Sequence, residues 1–116
     1  MSTNREEAIR RTERLLETLV DLRKATRATE VSVRRALRKA NQGADVASAL
    51  IAASPANTRQ SMNDALSAVE KARHDTRLLV FAAGLDAGMS IGELSRVFGF
   101  SRQLAARYAK EARSGT

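Results

Sequence analysis

An all-α fold is predicted by three features of this 116-residue chain: strong helix breakers are sparse, no segment alternates β-branched and polar residues, and apolar residues recur at helical spacing. Pro55 is the single proline, and the six glycines are Gly43, Gly84, Gly88, Gly92, Gly99 and Gly115. The predicted architecture is a long N-terminal helix, in a coiled coil or a helical hairpin, followed by a C-terminal group of short helices. A soft boundary at Arg73 to Asp75 divides residues 1–74, read as a helical dimerisation or interaction region, from residues 75–116.

The first helix is predicted to start at Asn4, which with Glu7 three residues later has the form of a capping box, and to stop at Gly43. It would be roughly 55 Å long at 1.5 Å per residue. Ile9, Leu16, Leu19, Val33, Leu37 and Ala40 fall on one seven-residue pattern, interrupted by Thr12, Arg23, Thr26 and Glu30 on the same stripe. Such a seam serves pairing within the chain or between two chains. A short apolar helix over Asp45 to Ala53 presents Val46, Ala49, Leu50 and Ala53 on one face. Ser54 then precedes Pro55 as a capping hydroxyl before a first-turn proline. The helix that follows carries Met62, Leu66 and Val69 on one side. It either runs unbroken to Ala87 or restarts at Asp75.

All four aromatics, Phe81, Phe98, Phe100 and Tyr108, lie in the last third of the chain, which predicts a compact core there. Leu78, Leu79, Phe81, Ala82 and Leu85 mark a helix ended by Gly88. Ser90 and Glu93 form a second Ser-x-x-Glu box, opening a helix with Ile91, Leu94, Val97 and Phe98 on its apolar face. Gly99 and Phe100 make the turn, and Ser101 caps a last helix to about Ala112. On that helix Gln103, Ala106, Arg107 and Lys110 are spaced i, i+3, i+4 and i+7 and share one face, while Leu104, Tyr108 and Ala112 share another. One side is built to bury and the other to meet a partner.

Ile91 to Lys110 resembles a bacterial helix-turn-helix, similar to those of sigma factors and Hin-type recombinases. The resemblance rests on Gly99 at the turn, on Leu94, Phe98 and Phe100 at buried positions, on the small Ser95 where two helices approach, and on Arg107 followed by Tyr108. Ala105 departs from it, standing where the family has a bulky aliphatic, with Leu104 one place earlier; a rotated helix or a shortened turn is left open. The resemblance implies that the last helix enters a DNA major groove with its N-terminal residues toward base edges. Arg102 suits guanine and Gln103 adenine, while Ser101 and the first amides suit a phosphate. Lys110, Arg113 and, on the preceding helix, Arg96 are expected at backbone phosphates.

Charge agrees with an anionic partner: 20 Lys and Arg against 13 Asp and Glu give a formal +7 and a pI near 11. The basic cluster Arg34, Arg35, Arg38 and Lys39 reads as a solvated face. With no cysteine, disulfides, thiolate metal sites and cysteine nucleophiles are excluded. The lone His74 has no second metal-ligating partner in sequence, and no nucleophile elbow, phosphate loop or metal spacing occurs, so no enzyme, cofactor or metal is expected. No apolar run approaches the roughly 20 residues of a membrane span. Arginines interleaved with Glu6, Glu7 and Glu13 are wrong for a signal peptide, so a cytoplasmic, nucleoid-associated protein is expected.

The expected function is therefore sequence-specific binding of double-stranded DNA by a homodimeric prokaryotic or phage transcriptional regulator. Ile9, Leu16, Leu19, Val33, Leu37, Leu50 and Ile51 are the candidate dimer contacts. Two alternatives stand beside it: a nucleoid, replication or partition protein, and, from another class, a coiled-coil adaptor or antitoxin.

Overall fold

The computed structural model describes residues 3–114 and is all-α. Five helices follow one another among these residues: α1 (Asn4–Asn41), α2 (Val46–Ala53), α3 (Pro55–Asp86), α4 (Ile91–Phe98) and α5 (Arg102–Ser114).

The three glycine stops share one hydrogen-bond pattern. After α1, α3 and α4 the glycines Gly43, Gly88 and Gly99 take φ of 90°, 91° and 71°. At each, the residue after the glycine donates its N–H to the carbonyl five residues earlier: Ala44 to Lys39 (3.0 Å), Met89 to Gly84 (2.9 Å) and Phe100 to Ser95 (2.9 Å). This is the Schellman termination, which satisfies the last carbonyls of a helix and favours glycine at its left-handed position.

The N-terminal caps of α1 and α3 differ from the sequence expectation. At α1 the box sits one residue early: Thr3 Oγ1 accepts from Glu6 N–H (3.1 Å) and Thr3 N–H donates to Glu6 Oε2 (3.4 Å). Asn4 is thereby released, and its amide donates to Asp86 Oδ2 at 2.8 Å. Ser54 takes φ 46° and ψ 57°, the left-handed end of α2, and not the extended backbone of an N-cap. The break at Asp75 does not occur: α3 is one helix of 32 residues, and Asp75 accepts instead from Arg11 at 3.5 Å.

The predicted Ser90 box forms as expected, and Asp45, expected inside the short helix, caps it instead. Asp45 accepts from Ser48 N–H at 2.7 Å, and Ser90 and Glu93 complete their box. The backbone N–H of Ser48 holds Asp45 below the usual carboxylate range, and that of Ser90 does the same to Glu93. A folded pKa below the unfolded one means that each cap contributes above the unfolded value and is lost as pH falls through the folded value. Carboxyl NMR titrations should place both midpoints below those in the unfolded chain; a Glu93 midpoint at the unfolded value would refute the cap.

The chain packs as two compact units. One comprises Glu17–Glu70, and the other unites the chain up to Leu16 with the chain from Lys71 onward. α1 and α3 contribute to both. In the second, Thr76 Oγ1 donates to the Arg11 carbonyl at 3.0 Å, near the Asn4–Asp86 bond, so the start of α1 runs antiparallel to the end of α3. Its core is Phe81, Ala82, Leu94, Ala105, Ala109 and Ala112. In the Glu17–Glu70 unit Thr18 and Val69 are buried, and Thr26 Oγ1 lies 3.9 Å from Met62 Sδ.

α1 therefore pairs with α3 of its own chain, on a face of mostly small residues with two leucines. Ala8 and Thr18 are buried and Leu15, Leu22, Ala25, Thr29, Ser32 and Ala36 half-buried, a second heptad-spaced stripe beside the predicted seam. The aliphatic seam is left uncovered.

Candidate nucleic-acid interface

Capping and burial together fix the orientation of α5. Ser101 Oγ accepts from Leu104 N–H at 3.1 Å, and its carbonyl accepts from Ala105 N–H at 3.0 Å. The inward stripe is Ala105, Ala109 and Ala112, the first two without exposed surface, and Leu104 and Tyr108 are only half-buried beside it. Of the face expected from Leu104, Tyr108 and Ala112, only Ala112 is buried. The helix is not rotated to carry Leu104 inward. Phe81 has no exposed surface and fills the same core, with ring centroids 5.1 Å from Phe98, 6.3 Å from Phe100 and 5.6 Å from Tyr108. A large ring from α3 thus occupies volume that an aliphatic at 105 would need.

Opposite that stripe Gln103, Arg107 and Lys110 are exposed, and Arg102, Ala106 and Arg113 are exposed along its edge, as are Ser101 and, on α4, Arg96. Arg102, Arg107 and Lys110 form no salt bridge among the described residues.

The turn that sets α5 against α4 is tightly tied. Beyond the bond from Phe100 N–H to its carbonyl, Ser95 donates its hydroxyl to the Phe100 carbonyl at 2.6 Å. Ser95 is itself buried, so a small side chain both permits the approach and pins the turn. Val97, expected on the apolar face of α4, is instead 71% exposed.

Two features escaped the sequence reading. Arg77 on α3 lays its guanidinium 5.3 Å from the Phe100 ring centroid and reaches Tyr108 Oη at 3.4 Å. His74 is exposed, with its ring tilted 49° to that of the same tyrosine and the centroids 5.9 Å apart. The second feature is a gap at Gly92: a methyl placed there would lie 3.6 Å from Arg102 Nη2, 3.7 Å from Arg96 Nη1 and 3.8 Å from Ser90 Oγ. The signal available in the sequence was a glycine one turn before an arginine, at the start of a well-capped helix.

The candidate dimer contacts Ile9, Leu16, Leu19, Val33, Leu37, Leu50 and Ile51 are 45 to 77% exposed. α2 buries none of its residues. In the Glu17–Glu70 unit Val33, Leu37, Val46 and Leu50 line an apolar groove of about 380 Å³. In the other, Ile9, Val80, Ala83, Leu94 and Val97 line one of about 540 Å³. Arg34, Arg35, Arg38 and Lys39 are exposed, Arg34 bonded to Glu30 at 2.7 Å.

Among the described residues no helix is long and apolar enough to cross a membrane, and no three His, Asp or Glu side chains are grouped as a metal site requires. No family model matches the chain, and no curated protein or solved structure matches it either.

Proposed function

We propose that this protein binds double-stranded DNA as a homodimer and regulates transcription by occupying a site, reading sequence with α5 as the second helix of a helix-turn-helix. The observation that carries this reading is the division of α5: a buried alanine stripe on one side and, on the other, exposed Gln103, Arg107 and Lys110, the two cations free of salt bridges among the described residues. A short helix so divided can sit on its own core while its polar side enters a major groove. Gln103, in the first turn, faces base edges, and Lys110 and Arg113, farther along, face phosphates.

Selection and sequencing of random duplex DNA near physiological salt tests the proposal. A recovered motif is expected, and Gln103→Ala should lose about 1–3 kcal/mol on it and relax specificity at one position. Unchanged binding by Gln103→Ala and Arg107→Ala together would refute a reading role for α5. Enrichment without a motif would instead favour a nucleoid, replication or partition protein.

Dimerisation is supported by the uncovered seam of α1 and by α2, whose Val46, Leu50 and Ile51 are 55 to 77% exposed. Fully burying one such side chain contributes about 1.5–3 kcal/mol. Two-fold pairing also suits two recognition helices about 34 Å apart on one DNA face. Leu16→Glu and Leu37→Glu should each weaken the dimer more than about tenfold, the loss of one buried side chain at roughly 1.4 kcal/mol per decade. Sedimentation equilibrium checks this, and a wild type monomeric at 100 µM would exclude the homodimer. The exposed α2 also favours a second reading, an interaction module, which gains if no duplex is enriched at all.

A further inference from the structure

The gap at Gly92 is unexplained by the fold. Its φ lies outside the left-handed range, and a methyl group there would touch nothing closer than 3.6 Å, so neither backbone nor packing demands glycine. Helix stability argues against it too, since only proline is a poorer helix former. What the missing side chain leaves is a spot nearly equidistant from Arg102 Nη2, Arg96 Nη1 and Ser90 Oγ.

From this convergence we propose that Gly92 is the seat of one DNA backbone phosphate, clamped by Arg96 and Arg102 and by the Ser90 hydroxyl. The proposal rests on the DNA-binding reading and assigns Arg102 to the backbone, where the sequence suggested a guanine edge.

The chemistry of the donors suits a phosphodiester oxygen. Two guanidiniums, each with a nitrogen within 3.7 Å of one point, repel each other until an anion lies between them, and charge-assisted bonds to phosphate are among the stronger hydrogen bonds. Ser90 Oγ accepts from Glu93 N–H, which leaves its own proton to donate. The carboxylate at this end, Glu93, accepts from Ser90 N–H at 3.1 Å and is held ionised there. Arg96 also acts on Glu93, so two guanidiniums and one carboxylate leave the cluster net positive. Arg96 belongs to α4 and Arg102 to α5, so one phosphate would bridge both helices and fix the depth at which α5 meets the groove.

Gly92→Ala is the discriminating variant, because it fills the seat and improves the helix. Its melting temperature should equal or exceed that of the wild type. Its affinity should fall about tenfold on every duplex alike, with the slope of log K against log salt smaller by about one. Wild-type affinity and slope in Gly92→Ala, beside a Gln103→Ala variant that loses its preferred site, would overturn the phosphate seat and leave the DNA reading intact. Should the wild type bind no duplex, the DNA reading falls, and the seat is judged with inorganic phosphate by NMR. Shifts at the Gly92 and Ser90 amides that Arg102→Gln abolishes would then support it as an anion site, and no shift would overturn it.

Discussion

Phe81→Ala is expected to remove about 3–5 kcal/mol of folding stability, a large part of the roughly 5–15 kcal/mol that holds a domain of this kind. Phe81 has no exposed surface, and three other rings lie within 5.1 to 6.3 Å of its centroid. The neighbours that would have to collapse into the space include Ala82, Ala105 and Ala109, whose side chains are too short to do so. On the alanine side the cavity would persist, and with it a large share of the cavity cost. Urea titration followed by circular dichroism measures this, and a loss below about 1 kcal/mol would show that the ring is peripheral. Ala105→Leu probes the same fit from the other side. An added isobutyl group beside an intact Phe81 should cost about 1–3 kcal/mol through overpacking.

That complementarity also shows where the sequence stopped being legible. Helix ends were readable because their determinants are local: Gly43, Gly88 and Gly99 take left-handed backbone, and Ser90 and Glu93 bond each other across one turn. Residue periodicity likewise identified the exposed side of α5. The burial of Ala105 was not readable, because the core it shares includes Phe81, 24 positions earlier on another helix, and small residues carry no apolar signal of their own. The same blindness affected α1. Most of its larger aliphatics drew attention to one seam, while the chain folds on the neighbouring stripe, where Leu15 and Leu22 alternate with Ala8, Thr18, Ala25 and Thr29. The grouping of Arg96 and Arg102 about Gly92 depends on how α5 returns beside α4. No spacing within either helix encodes it.

The approach of α3 to α4 yields the second large effect. Leu94 is 1% exposed, and Leu94→Ala should cost about 2–5 kcal/mol. Its side chain rests on Gly84: a methyl group there would stand 2.9 Å from Leu94 Cδ2 and 3.3 Å from Met89 Sδ. Gly84→Ala gains about 1 kcal/mol in helix propensity, but a buried leucine has little room to yield, and overpacking costs about 1–3 kcal/mol, so a modest net loss is expected. Combining the two changes removes the clash and returns a methyl group to the edge of the cavity. The double variant should therefore be more stable than the sum of the single losses implies, by about 1 kcal/mol or more, within the range seen for residues in contact. Denaturation of the wild type, both single variants and the double closes the cycle. Strict additivity would mean that α3 and α4 are not seated on each other through Gly84 and Leu94, and the orientation of α5, which is built on that seating, would have to be held by the aromatic cluster alone.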